Sequence, residues 1–302
     1  MSQRARSLPF PVPRGGRIGV FALSGPVAAE RLAAGVRRLE DEGFEVELAP
    51  NLALHARYLA GTDGERVAGL EWLLERGVDA LVAARGGYGA MRVLPSVPWD
   101  RLSRWGGWVV GFSDVTVLHA AAAGTYPFAT LLGPMMTTLV RHEDSARRML
   151  AWMRGEAPPF LSRVTPSQVV RGGTACGVAI GGTLSLLASL VGTPYDYDYD
   201  RAVLFVEEVG ESLYRLDRLL THLRLSSRLE RVQAIVSGRL IGCSRGEVGW
   251  RDEWRRLLAE AAPQAVVVEG LPFGHGSRNL SIPLGVEVTV DTVSGAITVG
   301  GA

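Results

Sequence analysis

The amino-acid sequence predicts an α/β protein whose N-terminal half forms a parallel sheet with helices on both faces. Two observations lead to this prediction: short apolar runs alternate with segments whose apolar residues recur at helical spacing, and a glycine stands where the first predicted helix ends. Parallel strands need a crossover between them, usually a helix. The succession strand, helix, strand, helix, strand therefore indicates a parallel sheet covered on both sides.

The first half of the chain contains these elements in order. An apolar strand over 17–23 is followed by helical spacing over 32–39, and apolar residues then alternate with glutamates over 44–48, as in a strand with one exposed face. Thr62 and Glu65 have the spacing of a capping box ahead of the next helix. A buried strand follows over 78–84, and we expect the helices to cover both faces of the sheet that these strands form.

Three loops of this half follow predicted strands, at 24–26, 85–89 and 111–114. Functional groups in parallel sheets gather at the carboxyl ends of the strands. We therefore expect the three loops to converge on one crevice.

The pattern weakens from 141 to 175, where Pro158, Pro159, Pro166 and two glycines interrupt it, which is typical of a connecting region. We accordingly predict an N-terminal domain over 1–140, a linker over 141–175 and a C-terminal domain over 176–302.

The second domain is predicted from a further set of elements. They are a glycine-led helix at 181–184, a strand over 202–206 that ends in two glutamates, an amphipathic helix over 213–223, strands over 232–236 and 265–268, and a hairpin over 286–299 with a Ser-Gly turn.

Composition excludes several classes of function. The net charge of +1 argues against a dedicated nucleic-acid surface, and no stretch approaches 18 uncharged apolar residues, so no membrane partner is expected. Cys176 and Cys243 have no metal-type spacing, so we predict neither a metal nor a disulfide framework. Prolines interrupt the apolar part of the N-terminus, which is unlike a signal peptide, and we expect a cytoplasmic protein.

Ser113 is the first candidate for chemistry. It lies where the apolar run WVV ends in Gly-Phe-Ser-Asp and the chain passes into an alanine-rich helical stretch. Helix-terminal N–H groups point at such a position, which suits a nucleophile that carries a transient negative charge.

A nucleophilic serine needs a base, and His275 is the candidate. It lies between Gly274 and Gly276 after a predicted strand, where missing β-carbons permit close approach of another group. His119 is predicted to be a packed helical residue instead, and the other histidines have polar neighbours.

A carboxylate that holds the second imidazole nitrogen would complete the arrangement. Glu207 and Glu208 end a predicted strand, and strand alternation sends their side chains to opposite faces, so we expect one of them to face the site.

The loop 85–89, Arg-Gly-Gly-Tyr-Gly, is the other notable motif. A dinucleotide fingerprint fails here because Arg92 stands where its last glycine is required. The glycine N–H groups could instead complete an oxyanion hole, or the loop is only a tight turn.

With these residues in place, the chain resembles the LD-carboxypeptidase family, the muramoyltetrapeptide carboxypeptidases, together with its microcin-immunity relatives, over about residues 16–292. The matching stretches occur in the family's order, and they are ALSGPV, YLAGTDGERV, ARGGYGAMRVLP, VGFSDVTVLH, GGTLSLLASLVGTPYD, VLFVEEVGESLYRLDRLLTHLR and GLPFGHGSRNLSIPLG.

The resemblance implies a serine peptidase without a cofactor that cuts the bond between an L-configured centre and a terminal D-amino acid. It also implies a flavodoxin-like or amidotransferase-like N-terminal domain, a swivelling β/α C-terminal domain and a homodimer that takes a muropeptide or other small peptide. The roles it implies are nucleophile for Ser113, triad acid for Glu207, base for His275, and oxyanion N–H groups at Gly87 and Asp114.

From its placement, Arg85 or Arg215 is expected to bind the terminal carboxylate of the substrate. Phe112, Thr183 and the pair Ser277-Arg278 depart from residues common in the family. The last two departures affect the expected substrate contacts, and none touches the triad.

Two other functions remain open on the sequence. An aminoacyl or peptidyl nucleotide could be the substrate, but residues 155–200 contain no Trp that would provide a platform for the base. Alternatively, the protein is a small-molecule binding module in which Ser113 only caps a helix.

Overall fold

Two sheets and their helices make up the fold in the computed structural model, which describes residues 5–126, 128–156, 160–243 and 248–300. The helices are α1 (Ala29–Asp41), α2 (Asp63–Glu75), α3 (Ala90–Val93), α4 (Trp99–Trp105), α5 (Thr116–Gly124), α6 (Glu143–Met153), α7 (Leu184–Leu190), α8 (Leu213–Leu225) and α9 (Trp250–Ala261). Within the described ranges, none of them is long and apolar enough to cross a membrane.

The strands are β1 (Arg17–Phe21), β2 (Glu45–Leu48), β3 (Ala80–Ala83), β4 (Trp108–Gly111), β5 (Thr130–Leu132), β6 (Ser162–Arg163), β7 (Val169–Arg171), β8 (Thr174–Thr183), β9 (Val203–Glu207), β10 (Ala234–Gly238), β11 (Val266–Leu271), β12 (Ile282–Leu284), β13 (Glu287–Asp291) and β14 (Ala296–Val299).

The N-terminal sheet has the strand order β12-β5-β4-β3-β1-β2. Strands β1 to β5 are mutually parallel, and β3 and β4 are buried along their whole length, as strands covered on both faces should be. This confirms the predicted α/β fold with its parallel sheet. Strand β12, which comes from the last part of the chain, pairs antiparallel with β5 and so closes one edge of the sheet.

The capping box predicted for α2 is confirmed. The Thr62 N–H donates to Glu65 Oε2 over 2.7 Å, and the Glu65 N–H donates to Thr62 Oγ1 over 3.3 Å. Two N-terminal donors that would otherwise lack partners are thus satisfied, which fixes where α2 begins.

The second sheet has the order β6-β14-β13-β8-β9-β10-β11-β7. Its centre, β8 to β11, is parallel. At one edge β7 runs antiparallel to β11, and on the other side the β13–β14 hairpin and the edge strand β6 run antiparallel to their neighbours. The predicted terminal hairpin is therefore confirmed.

Residues 141–175, predicted as a connection, contain α6, β6 and β7. Helix α6 buries Met149, Leu150 and Trp152, and its apolar residues are what anchor this stretch. Pro158 and Pro159 lie outside the described residues. So do residues 1–4, where the predicted N-terminal domain begins, and residues 301–302, where the predicted C-terminal domain ends. The boundaries at 140 and 176 remain a prediction.

The glycine-led helix was predicted wrongly, because Gly181 and Gly182 belong to β8 and the helix begins at Leu184. A β-carbon on Gly181 would lie 1.8 Å from the Phe205 carbonyl oxygen, and one on Gly182 would lie 2.4 Å from the side chain of Thr116. The glycines therefore allow close approach between chain segments rather than the start of a helix. Directly beyond them, the Thr183 N–H donates to Thr116 Oγ1 over 3.0 Å, which ties β8 to α5.

Candidate active site

Phe112 separates Ser113 from the end of β4. Ser113 begins a short 3-10 turn that leads into α5. Its φ of 61° is in the left-handed region, which costs energy for a residue with a side chain. Such strained residues cluster at functional sites. The backbone here turns sharply enough to present the half-buried Ser113 side chain at the carboxyl end of the sheet.

The structure brings Ser113, His275 and Glu207 into one chain of hydrogen bonds. His275 Nε2 lies 3.0 Å from Ser113 Oγ, and His275 Nδ1 lies 2.6 Å from Glu207 Oε2. Serine and histidine are 162 positions apart in the sequence. With Glu207 accepting from Nδ1–H, Nε2 is left free to accept the hydroxyl proton of Ser113.

The Glu207 carboxylate is buried and accepts hydrogen bonds on both oxygens. Thr183 Oγ1 donates to Oε1 over 2.6 Å, and the backbone N–H of His275 donates to Oε2 over 3.2 Å. These bonds satisfy both oxygens of a side chain that is removed from water. Thr183, which departs from the family's usual residue, thus holds the acid in place.

Gly274 allows this approach. Its φ is +90°, and a β-carbon there would lie 2.3 Å from Glu207 Oε2. Its N–H donates to Asn279 Oδ1 over 2.9 Å, and the ring of Phe112 packs edge-to-face on His275 with centroids 5.0 Å apart. Asn279 therefore holds the loop backbone, and Phe112 packs on the imidazole ring.

The pKa of His275 is raised above its usual value of 6.5 by the balance of two effects. Burial acts to lower this pKa, but the hydrogen bond and negative charge of Glu207 outweigh burial, and Glu208 adds to the same side. The site therefore stabilises the imidazolium that forms when the ring takes a proton.

Glu208 faces elsewhere, as strand alternation predicted. Its Oε2 accepts from the Ser185 N–H over 2.8 Å, in the first turn of α7, and its Oε1 accepts from the Val209 N–H over 2.9 Å. Burial raises the pKa of Glu208 despite these bonds. Only Glu207 of the pair contacts His275 in the described structure.

The three loops at the strand ends converge, as predicted. Asp114 Oδ2 accepts from Ser24 Oγ over 2.6 Å and from the Ala90 N–H over 2.8 Å, and the Gly25 N–H donates to the Gly86 carbonyl over 3.4 Å. Asp114 therefore uses its side chain to join the loops. Its role and that of Gly87 in an oxyanion hole remain predictions.

Gly86 packs directly on Ser113. A β-carbon on it would lie 2.8 Å from Ser113 Cβ and 2.9 Å from Ser113 Oγ. The next residue, Gly87, lines the same cavity as Ser113 and His275.

That cavity has a volume of about 310 Å³, and three arginines line it: Arg31, Arg85 and Arg141. None of its lining residues within the described chain is acidic. Arg85 is held by the carbonyls of Pro26 and Gly86, each 3.0 Å from a guanidinium nitrogen. A concentration of positive charge in a chain with net charge +1 fits an anionic substrate.

Arg31 and Arg141 escaped the sequence analysis because nothing in their local sequence distinguishes them from surface arginines. Arg31 belongs to α1, and Arg141 ends a 3-10 turn before α6. Arg215, one of the two arginines expected at the substrate carboxylate, lies on α8, pairs with Glu211 over 3.3 Å and does not line this cavity.

His119 is the packed helical residue that the sequence predicted. It is fully buried, with Nδ1 2.9 Å from Thr130 Oγ1 and Nε2 2.9 Å from the Gly111 carbonyl. Burial lowers its pKa to about 4.

Comparison with known proteins agrees with this architecture. Family models described as the LD-carboxypeptidase N-terminal and C-terminal domains match residues 18–133 and 176–290. A protein of Streptomyces coelicolor that carries a carboxypeptidase name is 38% identical over 94% of this chain and 93% of its own. The murein tetrapeptide carboxypeptidase of Pseudomonas aeruginosa is 32% identical over 90% of this chain and 92% of its own.

Among solved structures, an active-site mutant of the microcin C7 self-immunity protein superposes with a TM-score of 0.88, at 21% identity, over 98% of this chain and 99% of its own. That likeness supports the fold. The matches to both domain models and to full-length relatives show that this chain belongs to the LD-carboxypeptidase family of peptidases.

Proposed function

We propose that this protein is a serine carboxypeptidase that hydrolyses the amide bond between an L-configured centre and the terminal D-alanine of a muropeptide tetrapeptide. The observation that carries the proposal is the hydrogen-bonded chain from Ser113 through His275 to Glu207. Membership in a family with carboxypeptidase-named relatives supports the same reaction class.

In the first half of the reaction, His275 Nε2 takes the proton of Ser113 as its Oγ attacks the carbonyl carbon of the L-centre. The carbonyl oxygen becomes an oxyanion, for which we propose the N–H groups of Gly87 and Asp114 as donors. Each such donor is worth ~3 kcal/mol of transition-state stabilisation. Glu207 keeps Nδ1 protonated and offsets the charge of the imidazolium.

In the second half, the tetrahedral intermediate collapses, the C–N bond breaks, and His275 gives its proton to the amine of the departing D-alanine. Water then loses a proton to His275 and attacks the acyl-enzyme, and the proton returns to Ser113 as the ester bond breaks. The products are D-alanine and the shortened peptide acid. The proton transfers between Ser113 and His275 use the hydrogen bond that joins the two side chains.

The terminal carboxylate of the substrate requires a cationic partner near the leaving group. Arg85 lines the cavity with Ser113, as do Arg31 and Arg141, whereas Arg215 does not. We propose that these three arginines select a substrate with a free terminal carboxylate, since guanidinium groups bind carboxylates with paired N–H donors.

The test is release of free D-alanine from a muramoyl tetrapeptide, followed by mass spectrometry. The matched control is Ser113→Ala, which removes one oxygen atom at the attacking position. Loss of one D-alanine only with the intact serine would establish the reaction and its nucleophile.

If the folded protein released no D-alanine, an aminoacyl or peptidyl nucleotide would be the next substrate to assay. Labelling by a fluorophosphonate probe would then separate an active serine hydrolase from a binding module, because an activated serine reacts and a helix cap does not.

Peptidoglycan recycling in the cytoplasm by a homodimer is part of the same proposal, and it rests on the family resemblance. Cell fractionation tests the location, and light scattering on the purified protein tests the assembly.

A further inference from the structure

A second cavity adjoins the one that Ser113 and His275 line, here called the catalytic cavity. Two tyrosines are among the residues that line the second cavity. It has a volume of about 560 Å³ and shares Arg85 and Gly87 with the catalytic cavity. Its other lining residues are Gly25, Pro26, His55, Arg57, Tyr58 and Tyr88. The size lies within the range of small-molecule subsites.

Two tyrosines form an exposed platform in this second cavity. The rings of Tyr58 and Tyr88 meet edge-to-face with centroids 5.6 Å apart, and the two residues are 56% and 52% exposed. Paired aromatic rings usually gain stability through burial, so an exposed pair in a cavity beside a nucleophile indicates a surface that a ligand covers.

Backbone hydrogen bonds and a buried leucine fix the turn that carries Tyr58. Tyr58 lies in a two-residue turn closed by reciprocal hydrogen bonds of 3.0 Å between Ala56 and Leu59, with Arg57 in the left-handed region at a φ of 60°. Leu59 is buried against Gly89, so the turn is fixed to the loop that carries Tyr88. The platform is therefore preorganised.

The position of Tyr88 relates the platform to the reacting atoms. It follows Gly87 directly, so its Cα is ~3.8 Å from the Cα of the residue we propose as an oxyanion donor. A substrate whose carbonyl lies at Ser113 would reach the rings with its neighbouring residues. Because the catalytic cavity holds two further arginines, Arg31 and Arg141, the leaving residue with its carboxylate fits there.

We propose that the Tyr58–Tyr88 cavity is the subsite for the acyl side of the substrate, the peptide chain that precedes the scissile bond. The rings would pack on the aliphatic and amide groups of that chain. Arg57 and Arg85 make the lining positively charged, and none of the described lining residues is acidic, which fits a peptide that carries carboxylates. This inference rests on the proposed function.

Tyr58→Ala is the decisive variant, because Tyr58 lies outside the proposed chemistry and is exposed. The assay compares a muramoyl tetrapeptide with a short substrate, an N-acetylated L-amino acid joined to D-alanine. We expect kcat/KM for the tetrapeptide to fall about tenfold, mainly through KM, with the short substrate unchanged. Tyr58→Phe, which keeps the ring, should restore the tetrapeptide rate.

Tyr214→Ala is the matched control, because Tyr214 is 63% exposed on α8 and lines neither cavity. Equal losses of kcat/KM on both substrates in Tyr58→Ala, or no loss on the tetrapeptide, would overturn the subsite while leaving the proposed function intact. Failure of the wild-type protein to release D-alanine from either substrate would instead overturn the proposed function and the subsite with it.

Discussion

Glu207 Oε2 and His275 Nδ1 are 2.6 Å apart, and this hydrogen bond joins the carboxyl end of β9 to the loop after β11. The two strands are not neighbours, because β10 lies between them in the sheet. The loop reaches across β10 at Gly274, where any β-carbon would meet the carboxylate. The second sheet thus supplies the proposed acid and base, and the first sheet supplies Ser113.

Ser113→Ala tests the nucleophile. We expect D-alanine release to fall about a thousandfold or more, because the proposed acyl-enzyme forms on Ser113 Oγ. The thermal midpoint should stay close to that of the wild type. Alanine keeps the β-carbon of Ser113, and the substitution removes only the hydrogen bond to His275. A variant with near-normal turnover would contradict the assignment.

Glu207→Gln tests the acid, with Glu208→Gln as its matched control one residue away. An amide at position 207 keeps the shape but lets the imidazole adopt the wrong tautomer, so kcat should fall on the order of ten thousandfold. Glu208 contacts the start of α7 instead of His275, and its variant should keep kcat close to the wild type. Equal losses in both variants would indicate a general effect of charge at the strand end.

The pH dependence of kcat/KM tests the environment of His275. Its pKa is raised above 6.5, and the base must be neutral to accept a proton, so activity should rise with pH through a midpoint above 6.5. Replacing Glu207 by Gln removes the charge that raises this pKa and leaves burial, which lowers it. NMR titration of the His275 imidazole in that variant should therefore show a lower midpoint, and an unchanged midpoint would rule out Glu207 as the cause.

The local sequence singled out Ser113 and His275 as candidates, because Ser113 follows a predicted strand closely and His275 lies between two glycines. It left Glu207 and Glu208 open, and the choice of Glu207 came from the resemblance to the family. The catalytic roles of all three residues remain predictions. The alternation of strands and helices predicted the parallel sheet from local signals as well. These features depend on neighbours within a few positions of each residue.

What the sequence could not reveal depends on long-range contacts. Arg31 and Arg141 reach the catalytic cavity only because α1 and the turn before α6 pack beside it. Gly182 looked like the start of a helix, yet its lack of a side chain serves the approach of Thr116, which is 66 positions earlier in the chain. No spacing rule encodes such a contact between a strand of one sheet and a helix that packs on the other.

Gly86→Ala tests the close contact behind the nucleophile, with Gly64→Ala as control. The new β-carbon at position 86 would lie 2.9 Å from Ser113 Oγ, so the hydroxyl must move, and a displacement of about 1 Å can cost on the order of a hundredfold in rate. Gly64 lies in α2, and no atom lies within 4 Å of the place that an added methyl group would take, so its variant should keep full activity and gain about 0.5 kcal/mol of stability. Full activity in Gly86→Ala would show that the nucleophile tolerates displacement.

His119 makes the free energy of unfolding depend on pH. It is buried and its pKa is lowered from 6.5 to about 4, so the folded state favours the neutral ring. The neutral ring therefore adds about 3 kcal/mol to the free energy of unfolding above pH 6.5. This contribution is lost as the pH falls towards 4. Denaturant unfolding at several pH values should therefore show a shallower pH dependence between 6.5 and 4 in His119→Gln than in the wild type. His222→Gln is the control, because His222 is exposed on α8 and its removal should leave the slope unchanged. An unaltered slope in His119→Gln would assign the acid sensitivity of the fold to other groups.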